Sequence, residues 1–377
     1  VRKKLRGVGV RPDVAVIGGG PAGAIAAKTL AEGGLEVILI ERDLKTSKPC
    51  GGGIPFTAFR EFNIPEVLIK KNVEIVEIIS PRGEKLSIKL KDGMISIVNR
   101  GEFDASLRGL ACEKGATLIE AEFISFAGIE KSNVKLLLRG KEGQKMELSS
   151  RYVIIADGVN SRARHSLGLP PSDKVFTLSA RFEDIKNERV EFWFGSDHAP
   201  GFYSWVFPLS AGTGSSVASG IKERFNYFCK KRGIEPKNIR GYPIPLWSRR
   251  GQFLQYSSNI LLAGDAAGLV MPLTFEGIYY AMASGKLAAQ AIIEKRPVDY
   301  KRLWRDRYLK RFMLMKLLWR YFLRSDTSAE RLVEIHRDSE VQEIAMKLWL
   351  RKSVDKESLN SYAGVFKKYI GAKLGII

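Results

Sequence analysis

A short apolar run, Val14-Ala15-Val16-Ile17, ends in Gly18-Gly19-Gly20-Pro21-Ala22-Gly23. That junction constrains the fold more than any other part of this 377-residue chain. Gly18, Gly20 and Gly23 fall on the spacing G-x-G-x-x-G. The first glycine permits a tight turn, the second lets backbone approach a pyrophosphate, and the third lets a helix pack closely on a strand. Asp13 to Gly18 reads as a buried strand, Pro21 to Gly33 as a small-residue helix, and Glu36 to Ile40 as the next strand. Such a βαβ unit offers a helix N-terminus, opened by Pro21 and Ala22, to phosphate. Glu41, at the end of the second strand, is then placed to accept hydrogen bonds from a ribose hydroxyl.

One loop of this kind serves NAD and FAD alike, and two later loops separate them. Asp157-Gly158 follows a buried strand and precedes Ser161, Arg162 and Arg164. Gly264-Asp265 follows another strand and precedes a long Ala- and Gly-rich helix expected over Phe275 to Ile293. A nicotinamide dinucleotide needs no second acidic loop so far along a chain. FAD does, because its ribityl chain and isoalloxazine extend past the pyrophosphate. Asp265 suits a ribityl hydroxyl. The stretch from Pro272 to Gly277 would bring a helix N-terminus to the N1–C2=O edge of the flavin. The expected cofactor is FAD, and the expected chemistry is redox.

Between these loops the pattern changes period. Val73 to Val98 alternates apolar and polar residues about a turn at Pro81-Arg82-Gly83, and Glu102 to Lys114 reads as a helix. Lys174 to Gly220 is again strand-like and rich in aromatics. After Pro297 the tail is helical, aromatic and basic. The expected fold is α/β (α+β): a Rossmann-type FAD-binding domain interleaved with an antiparallel-sheet substrate domain, plus a helical C-terminal part. The FAD-binding domain would take 1–72, 99–172 and 253–298, the sheet domain 73–98 and 173–252, and the helical part 299–377.

Sixty-one basic against 41 acidic residues give a net charge of +20, which favours an anionic partner. No interleaved basic and aromatic run and no zinc-finger spacing points to nucleic acid, so that class is set aside. Three cysteines without a Cys-x-x-Cys pair argue against a disulfide framework or a structural zinc, and suit a reducing cytoplasm. Three histidines argue against a multi-histidine metal centre, and no metal is expected. The basic stretch Val1 to Arg11 lacks the apolar core of a signal peptide, and no run of about 18 apolar residues offers a membrane span. The expected location is the cytoplasm, with peripheral contact at the inner face of the cell membrane. Phe312 to Leu323 bears on that contact, being apolar except for Lys316 and Arg320, which with Arg324 form a cationic stripe. Such a helix either lies in an anionic membrane interface or packs on the body with its stripe in water.

The three loops resemble those of the p-hydroxybenzoate hydroxylase-type flavoproteins, and Arg100-Gly101-Glu102-Phe103-Asp104 resembles the segment that sets an arginine against their FAD. Within that group, Cys50-Gly51-Gly52-Gly53 and Tyr203-Ser204-Trp205-Val206-Phe207-Pro208 are similar to segments of the geranylgeranyl reductases, including the archaeal digeranylgeranylglycerophospholipid reductases. The resemblance spans about residues 12 to 295. It implies an FAD-dependent reductase that saturates prenyl double bonds, with Cys50 and Tyr203 catalytic and Gly51, Gly52, Tyr203, Trp205 and Phe207 at the substrate. Cofactor contacts then fall to Gly18, Gly20, Pro21, Ala22, Gly23, Glu41, Arg42, Cys50, Gly51, Arg100, Asp157, Gly264, Asp265 and Gly277. Implied partners are a prenylated lipid and an electron donor, either NAD(P)H or reduced ferredoxin. Alternation along a strand sends Tyr203, Trp205 and Phe207 to one side as an apolar wall about 13 Å long. Two other redox readings remain: a flavin monooxygenase or halogenase of a small substrate, and a membrane-associated carrier of electrons to quinone.

Overall fold

The computed structural model describes residues 11–91, 93–182, 187–350, 352 and 364. The expectations for the basic N-terminal stretch and for the end of the tail fall largely outside these residues. The core of the molecule is a sheet of eight strands with five parallel strands at its centre. In spatial order these are Thr117–Glu130, Val37–Glu41, Val14–Ile17, Tyr152–Ile155 and Ile260–Leu262. Strands buried on both faces read as unbroken apolar runs, and Val14–Ile17 and Tyr152–Ile155 do so. The helices Pro21–Glu32 and Ile278–Ile293 pack together on this sheet with very small residues between them. A β-carbon on Gly285 would stand 2.1 Å from the Ala22 carbonyl oxygen.

A second sheet of seven strands runs in the order Arg240–Pro245, Lys174–Arg181, Ser210–Ser215, Ser204–Phe207, Val190–Trp193, Ile75–Ile79 and Lys85–Lys89. It is antiparallel except where Val190–Trp193 lies alongside Ile75–Ile79. Its rear face is closed by the helix Ile221–Arg232. The apolar residues Phe225, Phe228 and Cys229 of that helix pack on Ile79, Ala180, Val206 and Ala211. The sequence reading passed over this helix, although its buried positions follow helical spacing.

Three local expectations shift. The strand pattern of 73–98 does not form one unit: Ile95–Val98 leaves the second sheet and pairs with Gly53–Pro55 and Ile69–Val73 in a small third sheet. The helix expected from Glu102 begins at Arg100, because the Asn99 side chain accepts a hydrogen bond from the Gly101 N–H at 2.9 Å and caps it there. The helix expected from Phe275 begins at Ile278, because Leu273 and Phe275 sit at φ of 70° and 49°, outside helical backbone.

The C-terminal part is helical, with Lys310–Phe322, Asp326–Ile335 and Ser339–Trp349 in succession. Phe312, Met315, Leu318 and Phe322 are buried against the body, so the wide apolar face of the first of these helices turns inward. Among the described residues no helix is long and apolar enough to cross a membrane.

Candidate active site

The glycine-rich loop, the Asp157 loop and the Gly264-Asp265 loop leave the carboxyl ends of three adjacent parallel strands. Register brings Ile17 level with Ile155, and Ile155 level with Leu262. Segments far apart in sequence therefore meet at one edge, where open parallel sheets bind ligands. Two arginines fasten the assembly. Arg108 donates to the Gly19 and Leu44 carbonyls at 3.3 and 3.1 Å. Arg164, 4% exposed, donates to the carbonyls of Pro170, Gly251 and Ala266 and to Ser172 Oγ, all at 2.8–3.0 Å. It thereby ties the second loop to the third. Sequence reasoning assigned neither role, since basic residues beside a loop carry no sign of which carbonyls they reach.

A cavity of about 410 Å³ runs from these loops to the second sheet. Gly18, Gly20, Pro21, Ala22, Glu41, Arg42, Cys50, Gly51, Gly52, Arg100, Asp157, Asp265 and Gly277 all line it. Gly23 and Gly264 do not, because both act in packing. A β-carbon at Gly23 would stand 1.9 Å from the Gly18 carbonyl oxygen, and one at Gly264 would stand 2.9 Å from Ala22 Cβ. Gly20 is the reverse case. Its φ of −73° is open to any residue, and no protein atom lies within 4 Å of a β-carbon built there. No protein contact requires glycine at this helix N-cap, and the open space beside it fits a pyrophosphate. Glu41 is held by the N–H groups of Gly19 at 2.7 Å and Asp43 at 3.1 Å, one on each carboxylate oxygen. Asp157 Oδ1 is buried with no hydrogen-bond partner among the described residues, and burial raises the pKa of this carboxyl. These residues fit a flavin dinucleotide lying across the loops. Asp265 is paired with Lys48 at 2.6 Å, a lysine the sequence reading did not single out.

At the far end Cys50 stands between a cationic and an aromatic environment. Its Sγ accepts from the Gly52 N–H at 3.4 Å, and it faces the buried guanidinium of Arg100, which binds Asp104 at 2.9 and 3.1 Å. Burial opposes the charge on Arg100, but Asp104 and Cys50 outweigh it and raise the arginine's pKa. Gly51 and Gly53 are the aromatic side. Side chains there would meet the Phe207 ring at 2.9 and 2.7 Å. Tyr203, Trp205 and Phe207 all line the cavity, joined by Phe192, while Val206 faces the rear core and Ser204 faces His198. The expected alternation holds. The Tyr203 hydroxyl donates to the Thr274 carbonyl at 2.6 Å. Burial first, then the nearby Cys50 and Glu276, push its pKa above the ordinary tyrosine value.

A second cavity of about 170 Å³ shares Phe192, Tyr203, Thr274, Glu276 and Trp349 with the first. Otherwise it is walled largely by Val, Ile, Leu and Met side chains, including Met315 and Leu348 of the C-terminal helices. Packing on the body is one of the two alternatives the sequence leaves for Phe312 to Leu323, but nothing in that pattern marks these helices as the wall of a cavity. Lys48, Tyr242 and Trp349 are among the cavity residues that pattern reasoning left without a role.

Residues 11–294 match the family profile described as an FAD binding domain. The chain is 35% identical to the chloroplastic geranylgeranyl diphosphate reductase of Arabidopsis thaliana over 90% of its own length and 80% of the relative's. It is 28% identical to the digeranylgeranylglycerophospholipid reductase of Methanocaldococcus jannaschii, over 92% of this chain and 95% of that one. In fold it superposes on a geranylgeranyl bacteriochlorophyll reductase-like protein of Thermoplasma acidophilum with a TM-score of 0.81 and 23% identity, covering 96% of this chain and 99% of the other.

Proposed function

Because the chain belongs to the geranylgeranyl reductase family and carries its FAD-binding domain, we propose that it saturates the isolated double bonds of a prenyl chain. The observation that carries this reading is the aromatic face of Tyr203, Trp205 and Phe207. It packs against the Cys50–Gly53 loop and continues into a second, apolar cavity. An isolated alkene is a poor electrophile, so the protein's task is to hold it close to the hydride donor and to exclude water. The loops at Gly18, Asp157 and Asp265 would hold FAD, which in its reduced form would supply a hydride for one alkene carbon. The aromatic face orients the chain, and the apolar cavity takes its remaining length.

The other carbon needs a proton, and Cys50 Sγ is the proposed source. Tyr203 is the weaker candidate: its proton is engaged by the Thr274 carbonyl, and its raised pKa holds that proton in place. Tyr203 then serves as a wall that also fixes the strained 273–275 turn. Reducing equivalents are proposed to come from a transient donor, NAD(P)H or reduced ferredoxin, since the sequence holds a single G-x-G-x-x-G loop. Approach to a lipid surface is proposed through the outer side of the helix Lys310–Phe322. There Met313 and Leu317 are 47% and 60% exposed beside Lys310 and Arg320.

The test is anaerobic. Chemically reduced enzyme is mixed with geranylgeranyl diphosphate, and the product is weighed by mass spectrometry. A gain of two hydrogens per double bond is expected. Substrate-dependent oxygen uptake with an oxygenated or halogenated product would overturn the reading.

A further inference from the structure

The face of the second sheet that carries the cavity's aromatic wall changes character from one edge to the other, and Arg181 and Arg240 lie on it beyond the cavity lining. Phe192 pairs with Trp205, Trp205 with Gly212, Gly212 with Ser179, and Ser179 with Arg240. Directly paired residues share a face, so these five form one row. The next row on that face runs Phe207, Ser210, Arg181. Both rows are aromatic at one end and cationic at the other. Side-chain contacts confirm the facing. Ser210 Oγ donates to the Gly51 carbonyl at 3.2 Å, and Arg181 Nη2 donates to Ser47 Oγ at 3.4 Å. The segment that carries Cys50 therefore lies across the border, with Gly51 on the aromatic half and Ser47 on the cationic half.

Among the described residues the cationic half is short of counter-charge. Among the described residues no carboxylate forms an ion pair with Arg181 or Arg240. Asp104, which faces Arg181, is already bound by Arg100 through two hydrogen bonds. Burial, and then Arg100 and Arg240, disfavour the charge on Arg181, with Cys50 and Asp104 offsetting part of that. Guanidinium groups remain charged at any ordinary pH, so this half of the face favours an anion. Planar forks of this kind match phosphate oxygens.

We propose that Arg181 and Arg240 seat the phosphate or diphosphate end of the prenyl substrate while its chain lies along Trp205 and Phe207, past Cys50. The inference rests on the reading of the protein as a prenyl reductase and adds the charged end of the substrate to it. Gly18 and Gly20, on the other sheet, would hold the pyrophosphate of a dinucleotide, which leaves this seat free for a second phosphate.

The test compares Arg181→Gln and Arg240→Gln with Arg181→Lys, using geranylgeranyl diphosphate and the uncharged alcohol geranylgeraniol. Loss of a charged hydrogen-bond pair is expected to raise the diphosphate-to-alcohol ratio of KM values by about 10- to 100-fold in each Gln variant, with partial recovery in Arg181→Lys. Calorimetric titration with inorganic pyrophosphate should show the same loss of binding. An equal KM rise for both substrates would overturn the proposal, because the pair would then only shape the pocket. Loss of bound FAD, or slower flavin reduction by NAD(P)H at an unchanged ratio, would assign the pair to another phosphate. If the wild-type protein reduces neither substrate, the reaction reading fails. The pyrophosphate titration still decides the anion seat, since weaker binding in Arg181→Gln supports it and unchanged binding overturns it.

Discussion

Cys50 shows how little a residue's identity says before its neighbours are known. A lone cysteine is most often an inert buried side chain. Here Cys50 lies in the cavity lining, beside Arg100 and next to glycines packed against aromatic rings, whereas Cys112 is exposed and Cys229 is buried in the rear core. Cys50→Ser should keep its FAD and lower single-turnover alkene reduction by about 10²-fold, the scale of losing one proton donor. Unchanged turnover would remove the proton-donor role. The glycine motif was legible as a motif, yet its three members have separate reasons. Gly18 and Gly23 are forced by protein contacts under 2.5 Å, while Gly20 borders open space at the helix N-cap where a phosphate fits.

At the scale of the element, the strand Ser204–Phe207 serves two environments. Its front carries Trp205 and Phe207 into the cavity. Its rear carries Ser204, whose hydroxyl is 2.7 Å from His198 Nδ1 and also contacts Thr213. Asp197 lies 3.6 Å from His198 Nε2. These are the residue types of a hydrolytic triad, but Ser204 and His198 are both 0% exposed and line neither cavity, so no substrate reaches them. Their effect is on stability. Burial lowers the His198 pKa from 6.5 to about 4, and the half-exposed Asp197, shared with Lys231, does not overcome it. The folded state thus prefers the neutral ring, and the unfolded state binds the extra proton between these values. Stability from this source is complete above about pH 6.5 and falls as pH drops toward 4, by about 3 kcal/mol in all. Denaturant unfolding from pH 7 to pH 4 should show a shallower loss in His198→Asn, and equal losses would clear His198 of the effect. Elements of clear period, such as Pro21–Glu32, were readable from the sequence. The start of Ile278–Ile293 was not, because the left-handed turns at Leu273 and Phe275 are imposed by tertiary contacts rather than by glycine.

For the whole molecule, the question is how the proposed reductase reaches a lipid. The inward packing of Phe312, Met315, Leu318 and Phe322 answers one of the two sequence alternatives for that face, and it leaves a narrow outer strip. Leu317→Glu, combined with Met313→Glu, should reduce co-sedimentation with anionic vesicles about tenfold at low salt without altering the fold, since both side chains are exposed. Equal binding by the variant would move the contact elsewhere. Charge alone, +20 over the chain, could not locate this surface.

The amino-acid sequence was sufficient for the cofactor and the class of fold, because strand–glycine–helix junctions carry local backbone demands that few other structures satisfy. It also placed Trp205 and Phe207 on one face, since alternation along a strand is a local property. What only the tertiary structure decided were the relations between distant segments. These include the three loops fastened by Arg108 and Arg164, Lys48 on Asp265, the C-terminal helices as the wall of a second cavity, and Arg181 brought by strand register beside the Cys50 loop. Hydrogen-bond partners, buried charges and cavities belong to pairs of segments. No window of sequence contains both members of such a pair.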